Sequence, residues 1–371
     1  MKKLICWILM LMLGGTALAE TAGNSLGVNA LDTLYDGVHN QMVSPFSLAM
    51  ALAMAADGAN GDTKTEILNA LNDSDTDWAA LRETLTQSGL KIANAAFAGK
   101  DLEAKEDYIA KLQETYAAEW FLMGENAVDE INVWASEHTD GLIDKLVDSV
   151  PENDTQLILL NAAAMDAQWL SSFSHDATQD ATFHTNSGDV TVSMMYQTDS
   201  FAYGETETAQ LLKLSYWDSD LKMLIALPKE GHDEREVLSA LKEQGLDYFS
   251  AIGEDTYLNL AMPKVDFAAE NSLNDVLEAA GIQTAFTGQA DFSGISDADL
   301  YLDKVVQKAH LTIDEAGTRA VAVTEICVAA CALYHDDPID FTMDHPFVAV
   351  IADETTGTIC FAAVIANPSE N

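Results

Sequence analysis

The chain has 371 residues, 48 % of them hydrophobic, and sets 60 acidic side chains against 18 basic ones for a formal net charge of -42. The apolar fraction supports a sizeable core and excludes global disorder. The charge argues against nucleic acid and anionic lipid as partners, since both repel an acidic surface.

At the N-terminus, Lys2 and Lys3 precede an apolar run over residues 4–13, which Gly14-Gly15-Thr16-Ala17-Leu18-Ala19 closes. A charged start, a short apolar stretch and an Ala-x-Ala site read as a secretory signal cleaved after Ala19. The run is too short to span a bilayer comfortably, so residues 1–19 are assigned to a signal peptide and the rest to a secreted, extracellular protein. Of the four cysteines, Cys6 leaves with the signal. Cys327, Cys331 and Cys360 form an odd set that does not indicate a disulfide framework. Cys360 lies in an apolar strand pattern and reads as a small buried hydrophobe.

Residues 26–39 have the periodicity of an amphipathic helix. Ser44-Pro45-Phe46-Ser47 opens a second helix, with Pro in the first turn and Ser as cap, and its small apolar run over 48–56 is expected in the core. Gly58, Gly61 and Asp62 end it, and Thr63-Lys64-Thr65-Glu66 starts the next with a capping-box pattern. Strand patterns follow at residues 90–98, 156–160, 190–195, 222–227 and 257–263. Helical patterns occur at 106–120, 128–147, 234–244 and 272–280. Strands and helices alternate unevenly, without repeat or Pro-rich linker, so the fold class is α+β with one large domain.

The stretch from Asp314 to Thr324 combines two characters. Thr318, Ala320, Ala322 and Thr324 are small and alternate with Arg319, Val321 and Val323. A strand alternates its side chains with period two, so this is a strand with one very small face. The same stretch is rich enough in Gly, Ala and Thr to be a mobile loop. Loop and inserted strand are both available to it.

Several motifs, in order, make the chain resemble the serpin family over about residues 26–368. They are Met42-Val43-Ser44-Pro45-Phe46-Ser47, Asn161 to Trp169 followed by Phe173, Val192-Ser193-Met194-Met195, and Ile225-Ala226-Leu227-Pro228. Met262-Pro263-Lys264, Ala290 to Ile295, Asp314-Glu315-Ala316-Gly317-Thr318 and Asp344-His345-Pro346-Phe347 continue the series. The resemblance implies a single serpin domain over 20–371 with mixed β-sheets, eight or nine helices and an exposed reactive-centre loop over about 315–340. It also implies suicide inhibition of serine proteases: the cleaved loop inserts into the central sheet and traps the acyl-enzyme. The protein would be no enzyme, need no cofactor or metal, and act as a monomer that forms a covalent complex with its target protease.

The residues can be tested against that mechanism. An inserting face must be small because its neighbours are close-packed, and Thr318, Ala320, Ala322 and Thr324 meet this. Arg319, where the family usually carries an acid, falls on the opposite face. Gly317 is expected to supply the bend of a hinge that starts at Glu315. By the resemblance, Ser44, Ser47 and Asn161 belong to a buried polar cluster that controls sheet opening, with Gln307 where the family often has histidine. Trp169 lies beneath the point where insertion begins, with Lys264 and Glu315 as an ion pair beside it. The family spacing places the attacked bond between Cys331 and Ala332. The interval from Glu315 to Phe347 is longer than usual, which leaves Leu333 or Tyr334 as alternatives. No Lys or Arg follows Arg319. A trypsin-like target is therefore excluded in favour of an elastase-like or subtilisin-like one, or a chymotrypsin-like one for Leu333 or Tyr334. The segment between Asp73 and Leu90 carries only Arg82 as a base, so no glycosaminoglycan is expected to bind there. The rival reading is a non-inhibitory serpin, a carrier or chaperone, for which a bulky residue or proline on the small hinge face would be the sign. None is present. Gly23-Asn24-Ser25-Leu26-Gly27 matches a hydrolase elbow, but no strand pattern precedes it.

Overall fold

The computed structural model describes residues 21–73, 75–139, 141, 143, 145–149, 156–318 and 337–370. The expected signal peptide and the calls at Arg319, Ala320, Ala322, Thr324, Cys327, Cys331, Ala332, Leu333 and Tyr334 lie outside these residues. The described residues form eight α-helices and two mixed sheets in one α+β domain. None of these helices is long and apolar enough to cross a membrane.

The nine-stranded sheet contains the last two long strands, Phe347–Asp353 and Thr358–Ile365, buried along their whole lengths. Continuous apolar sequence is what a strand covered on both faces requires. The seven-stranded sheet, called the central sheet below, carries the hinge. Its middle strands are Gln156–Met165 and Tyr301–Ile313, flanked by Leu90–Ala98 on one side and Val265–Ser272 on the other. Val265–Ser272 alternates buried and exposed residues strictly, the mark of a strand with one wet face.

Helix Pro45–Gly58 lies in the core between the sheets, with every residue except Asp57 buried. Its alanines and Gly58 let neighbouring backbones approach closely. On the opposite face of the central sheet, helix Ala127–His138 closes a second apolar cluster with Phe97, Ile158, Leu160 and Val306. Phe97 and Phe121 stack there 4.7 Å apart, and Trp134 meets both edge-on.

Several local expectations need correction. Ser44 occupies the N-cap position but makes no side-chain cap. Its hydroxyl donates instead to the Cys360 carbonyl at 2.7 Å, a buried acceptor that would otherwise go unpaired. The capping box at Thr63 and Glu66 does not form. The helix starts earlier, at Gly61 after Asn60. Thr63 accepts from the Asp291 backbone and Glu66 binds Gln283 and Thr284, so tertiary partners outcompete the local ones. The helix expected over 106–120 stops at Tyr116 because Ala117 turns left-handed, at φ 48°, and a strand Ala118–Leu122 follows. The helix expected over 128–147 ends at His138. Asn132 then ties the following segment back, accepting from the backbone N–H groups of Leu146 and Val147. Cys360 is fully buried, and that burial pushes its thiol pKa up.

Candidate functional site

The central pair of strands defines the site. Gln156–Met165 and Tyr301–Ile313 run parallel and pair directly from Gln156 opposite Tyr301 up to Ala163 opposite Ala309. Above that point they separate. The chain leaves Ile313, turns over Asp314, Glu315 and Ala316, and comes back down as a two-residue strand, Gly317–Thr318. This short strand fills the gap. Thr318 is antiparallel to Ile313 on one side and to Ala167 on the other, and Gly317 faces Gln168.

The turn is held from three directions. Asp314 Oδ1 accepts from the N–H groups of Ala316 and Gly317 at 2.8 and 3.1 Å, a local Asx turn. The Trp169 indole N–H donates to the Asp314 carbonyl at 2.9 Å. The backbone N–H groups of Trp169 and Phe173 donate to the carbonyls of Ala316 and Glu315, each at 2.9 Å. Trp169 is buried and stacks on Tyr216, with ring centres 4.7 Å apart and planes 14° from parallel.

Gly317 is needed here for a reason other than the expected bend. Its backbone does not take a left-handed conformation. A Cβ on it would sit 2.1 Å from the Ala167 carbonyl oxygen and 2.8 Å from the Gln168 Cα. Glycine lets the returning strand press against its neighbour.

Glu315 is buried, with 4 % of its side chain exposed. One carboxylate oxygen accepts from Lys264 Nζ at 2.7 Å and the other from the Thr178 hydroxyl at 2.8 Å, with His175 Nδ1 3.4 Å away. Burial alone would raise its pKa. The hydrogen bonds from Lys264 and Thr178 outweigh burial and hold it at about 2, so the side chain stays ionised. Thr318 is 1 % exposed, with its hydroxyl 2.7 Å from the Tyr216 phenol oxygen. Burial raises the Tyr216 pKa and keeps that phenol protonated.

Lower in the sheet, Asn161 stands opposite Gln307, both buried. Gln307 and Ser44 share two bonds: Ser44 N–H donates to Gln307 Oε1 at 2.8 Å, and Gln307 Nε2 donates to the Ser44 carbonyl at 2.9 Å. Asn161 accepts from the Ser47 hydroxyl and donates to Asn94 Oδ1 at 2.8 Å. Thus Ser44, Ser47, Asn161 and Gln307 come together between the core helix and the two middle strands. Two members were missed from sequence. Asn94 bridges Asn161 to the Tyr116 carbonyl, and Asn271, paired with Gln307 across the sheet, donates to the Met42 carbonyl. The available signal was a lone amide in each otherwise compatible strand pattern, at Ile92-Ala93-Asn94-Ala95-Ala96 and Phe267-Ala268-Ala269-Glu270-Asn271.

The family comparison decides what this arrangement is. The sequence model described as Serpin (serine protease inhibitor) matches residues 21–368. The chain belongs to the serpin family. An uncharacterized serpin-like protein of Thermococcus kodakarensis is 35 % identical, over 94 % of this chain and 85 % of that protein. Human leukocyte elastase inhibitor is 31 % identical, over 89 % of this serpin and 93 % of the inhibitor. Among solved structures, the thermophilic serpin tengpin in its native state superposes with a TM-score of 0.83 at 26 % identity, covering 93 % of each chain. Human thyroxine-binding globulin in complex with thyroxine superposes at 0.81 and 27 % identity, covering 94 % of this serpin and 99 % of the globulin. The fold therefore occurs both in an elastase inhibitor and in a thyroxine-binding globulin, and the choice between inhibition and binding rests on the residues.

Proposed function

We propose that this serpin is a secreted suicide inhibitor of serine proteases with elastase-like or subtilisin-like specificity. One observation carries the reading: Gly317–Thr318 already lies antiparallel between two strands that are parallel to each other below it. Parallel neighbours one strand apart can accept a single antiparallel strand between them with both of its edges bonded.

The register supports continuation without a slip. Thr318 faces Ala167 and Ile313. Each two-residue step forward in the loop moves two residues back on both neighbours. Ala320 then falls between Met165 and Leu311, Ala322 between Ala163 and Ala309, and Thr324 between Asn161 and Gln307. The last two of these neighbour pairs are already partners in the closed sheet. Thr318 is buried, so on insertion residues of its parity would enter the same packed interior, where only small side chains fit. Thr324 would bring a hydroxyl to the Asn161 and Gln307 amides.

Insertion would add a strand of roughly 14 residues, with backbone hydrogen bonds worth about 1 kcal/mol each net. The uncleaved protein would then be a kinetic trap. Target choice rests on the lack of any cation after Arg319, and the similarity to leukocyte elastase inhibitor points the same way. A carrier role like that of thyroxine-binding globulin is the alternative, which the small hinge face disfavours. The test is to incubate the mature protein with elastase and with trypsin. A covalent complex stable in SDS with elastase and not with trypsin is expected. Clean cleavage without complex, across elastase, subtilisin and chymotrypsin, would establish the non-inhibitory alternative. Secretion is tested by N-terminal sequencing of exported protein, which is expected to begin at Glu20.

A further inference from the structure

The partners of Thr318 determine which residues would flank the next position of the loop. Thr318 lies opposite Ala167 on one side and Ile313 on the other. Continued antiparallel pairing would set residue 319 opposite Asp166 and Thr312, and Thr312 is itself paired with Asp266 on the adjacent strand. Ala167 and Ile313 pack on the main apolar core, so the residue beside each faces outward. Asp166, Thr312 and Asp266 accordingly form a row across the outer face of the central sheet, with Asp166 half-buried and Asp266 exposed.

Residue 319 is arginine, one of only three in a chain of net charge -42. Two acids of the row would lie within its reach, and their present contacts separate them. Asp266 would be two strands away. Its Oδ1 already accepts from the Thr312 hydroxyl at 2.9 Å and lies 2.9 Å from His310 Nε2. Asp166 would be the immediate cross-strand neighbour, about 5 Å away at Cβ. Among the described residues its carboxylate is met only by Lys91 Nζ, at 3.5 Å. Its backbone is already fixed, with the Asp166 N–H donating to the Gly89 carbonyl at 3.1 Å. Attraction falls with distance, so Asp166 is the stronger partner.

We propose that Asp166 receives the Arg319 guanidinium when the loop enters the central sheet, in an ion pair that belongs only to the inserted form. The pair guards the register at the first outward-facing position beyond Thr318. A slip of one residue would turn the guanidinium into the packed interior and a small residue toward Asp166. An acid at position 319 would instead meet Asp166 as a like charge directly opposite, which is destabilising. The proposal rests on the inhibitory reading given above, because the pair needs an inserted loop.

The test is a charge swap with two readouts. Arg319→Glu, Asp166→Lys and the double variant are compared with wild type against elastase at low salt. In each single variant the ratio of cleaved inhibitor to covalent complex is expected to rise roughly two- to fivefold, and in the double variant to return close to wild type. Losses that simply multiply in the double variant overturn the pair. The second readout needs no inhibition. Each protein is cut in the loop beyond Thr324 by a protease that it does not trap, and scanning calorimetry compares the cut and uncut forms. The rise in thermal midpoint on cutting is expected to be smaller in each single variant and restored in the double variant, while any effect of Asp166→Lys on Lys91 is common to both forms and cancels. A rise that the swap does not restore overturns the pair and leaves the inhibitory reading standing. No rise in the wild type overturns insertion itself, and the pair with it.

Discussion

Glu315 and Lys264 meet at 2.7 Å across the top of the central sheet, one buried on the hinge turn and the other half-exposed just before strand Val265–Ser272. The contact joins the hinge to the part of the molecule that must let it go. With the Thr178 hydroxyl, Lys264 outweighs burial and holds the Glu315 carboxyl well below the usual glutamate range, at about 2.

That shift fixes a pH dependence. The native carboxyl binds a proton less readily than the unfolded one, so acid favours the unfolded state. The stabilisation is complete above about pH 4.5 and is lost as the pH falls toward about 2. At neutral pH it amounts to at most about 3 kcal/mol. Thermal unfolding from pH 7 to pH 3 should therefore cost the wild type more than Glu315→Gln, which is already destabilised at pH 7. Parallel curves for the two proteins would disprove the assignment.

Gln307 is expected to control how long the sheet stays closed. Gln307→Leu removes both bonds to Ser44 and leaves the Ser44 N–H buried without its acceptor. An orphaned group of this kind costs about 1–3 kcal/mol. The variant should unfold at lower temperature and lose inhibitory activity faster during incubation without protease. A wild-type activity half-life would show that the amide does not guard the opening.

Legibility in the sequence followed the range of the forces involved. Leu90–Ala98 and Glu234–Gln244 are readable to the residue, because period, flanking Gly89 and the Asp233 cap all act locally. The capping roles of Ser44 and Thr63 were misread because their hydroxyls have distant partners, Cys360 and Asp291, that no local pattern reveals. Ser44, Ser47, Asn161 and Gln307 were found through family motifs rather than through periodicity. Asn94 and Asn271 lay outside those motifs, so their membership appears only once three strands are side by side. The role of Gly317 was half-legible: sequence shows that glycine is there, and only the strand pressed against it shows why.

Thr318→Arg should convert the inhibitor into a substrate. The Thr318 side chain is buried and its hydroxyl reaches Tyr216, so an arginine there would carry its charge into a site built for a hydroxyl facing a neutral phenol. An unpaired buried charge costs several kcal/mol, enough to expel the short strand from the gap and block the insertion that would continue from it. With elastase, the variant should give cleaved protein and free active protease where the wild type gives complex. Thr318→Ser, which keeps the hydroxyl, should inhibit like wild type. Normal inhibition by Thr318→Arg would defeat the insertion argument.

The attacked bond can be located by what is released. If elastase attacks after Cys331, the released C-terminal fragment starts at Ala332; attack after Leu333 or Tyr334 shortens it by two or three residues. Intact-mass measurement resolves these fragments directly. Insertion in the register of Thr318 would bring Thr324 level with Asn161 and Gln307, and the closed pair of strands extends down to Gln156 opposite Tyr301. At two residues of loop for two of neighbour, the strand base is reached near residue 329. A bond at Cys331 therefore lies just past the bottom of the sheet, so full insertion would carry an attached protease the whole length of the strand pair. A fragment beginning at Ala332 is the expected result, and Cys331→Arg should then form a covalent complex with trypsin. If the fragment instead begins at Glu325 or earlier, the tether is too short for that journey and the trapping mechanism fails for this chain.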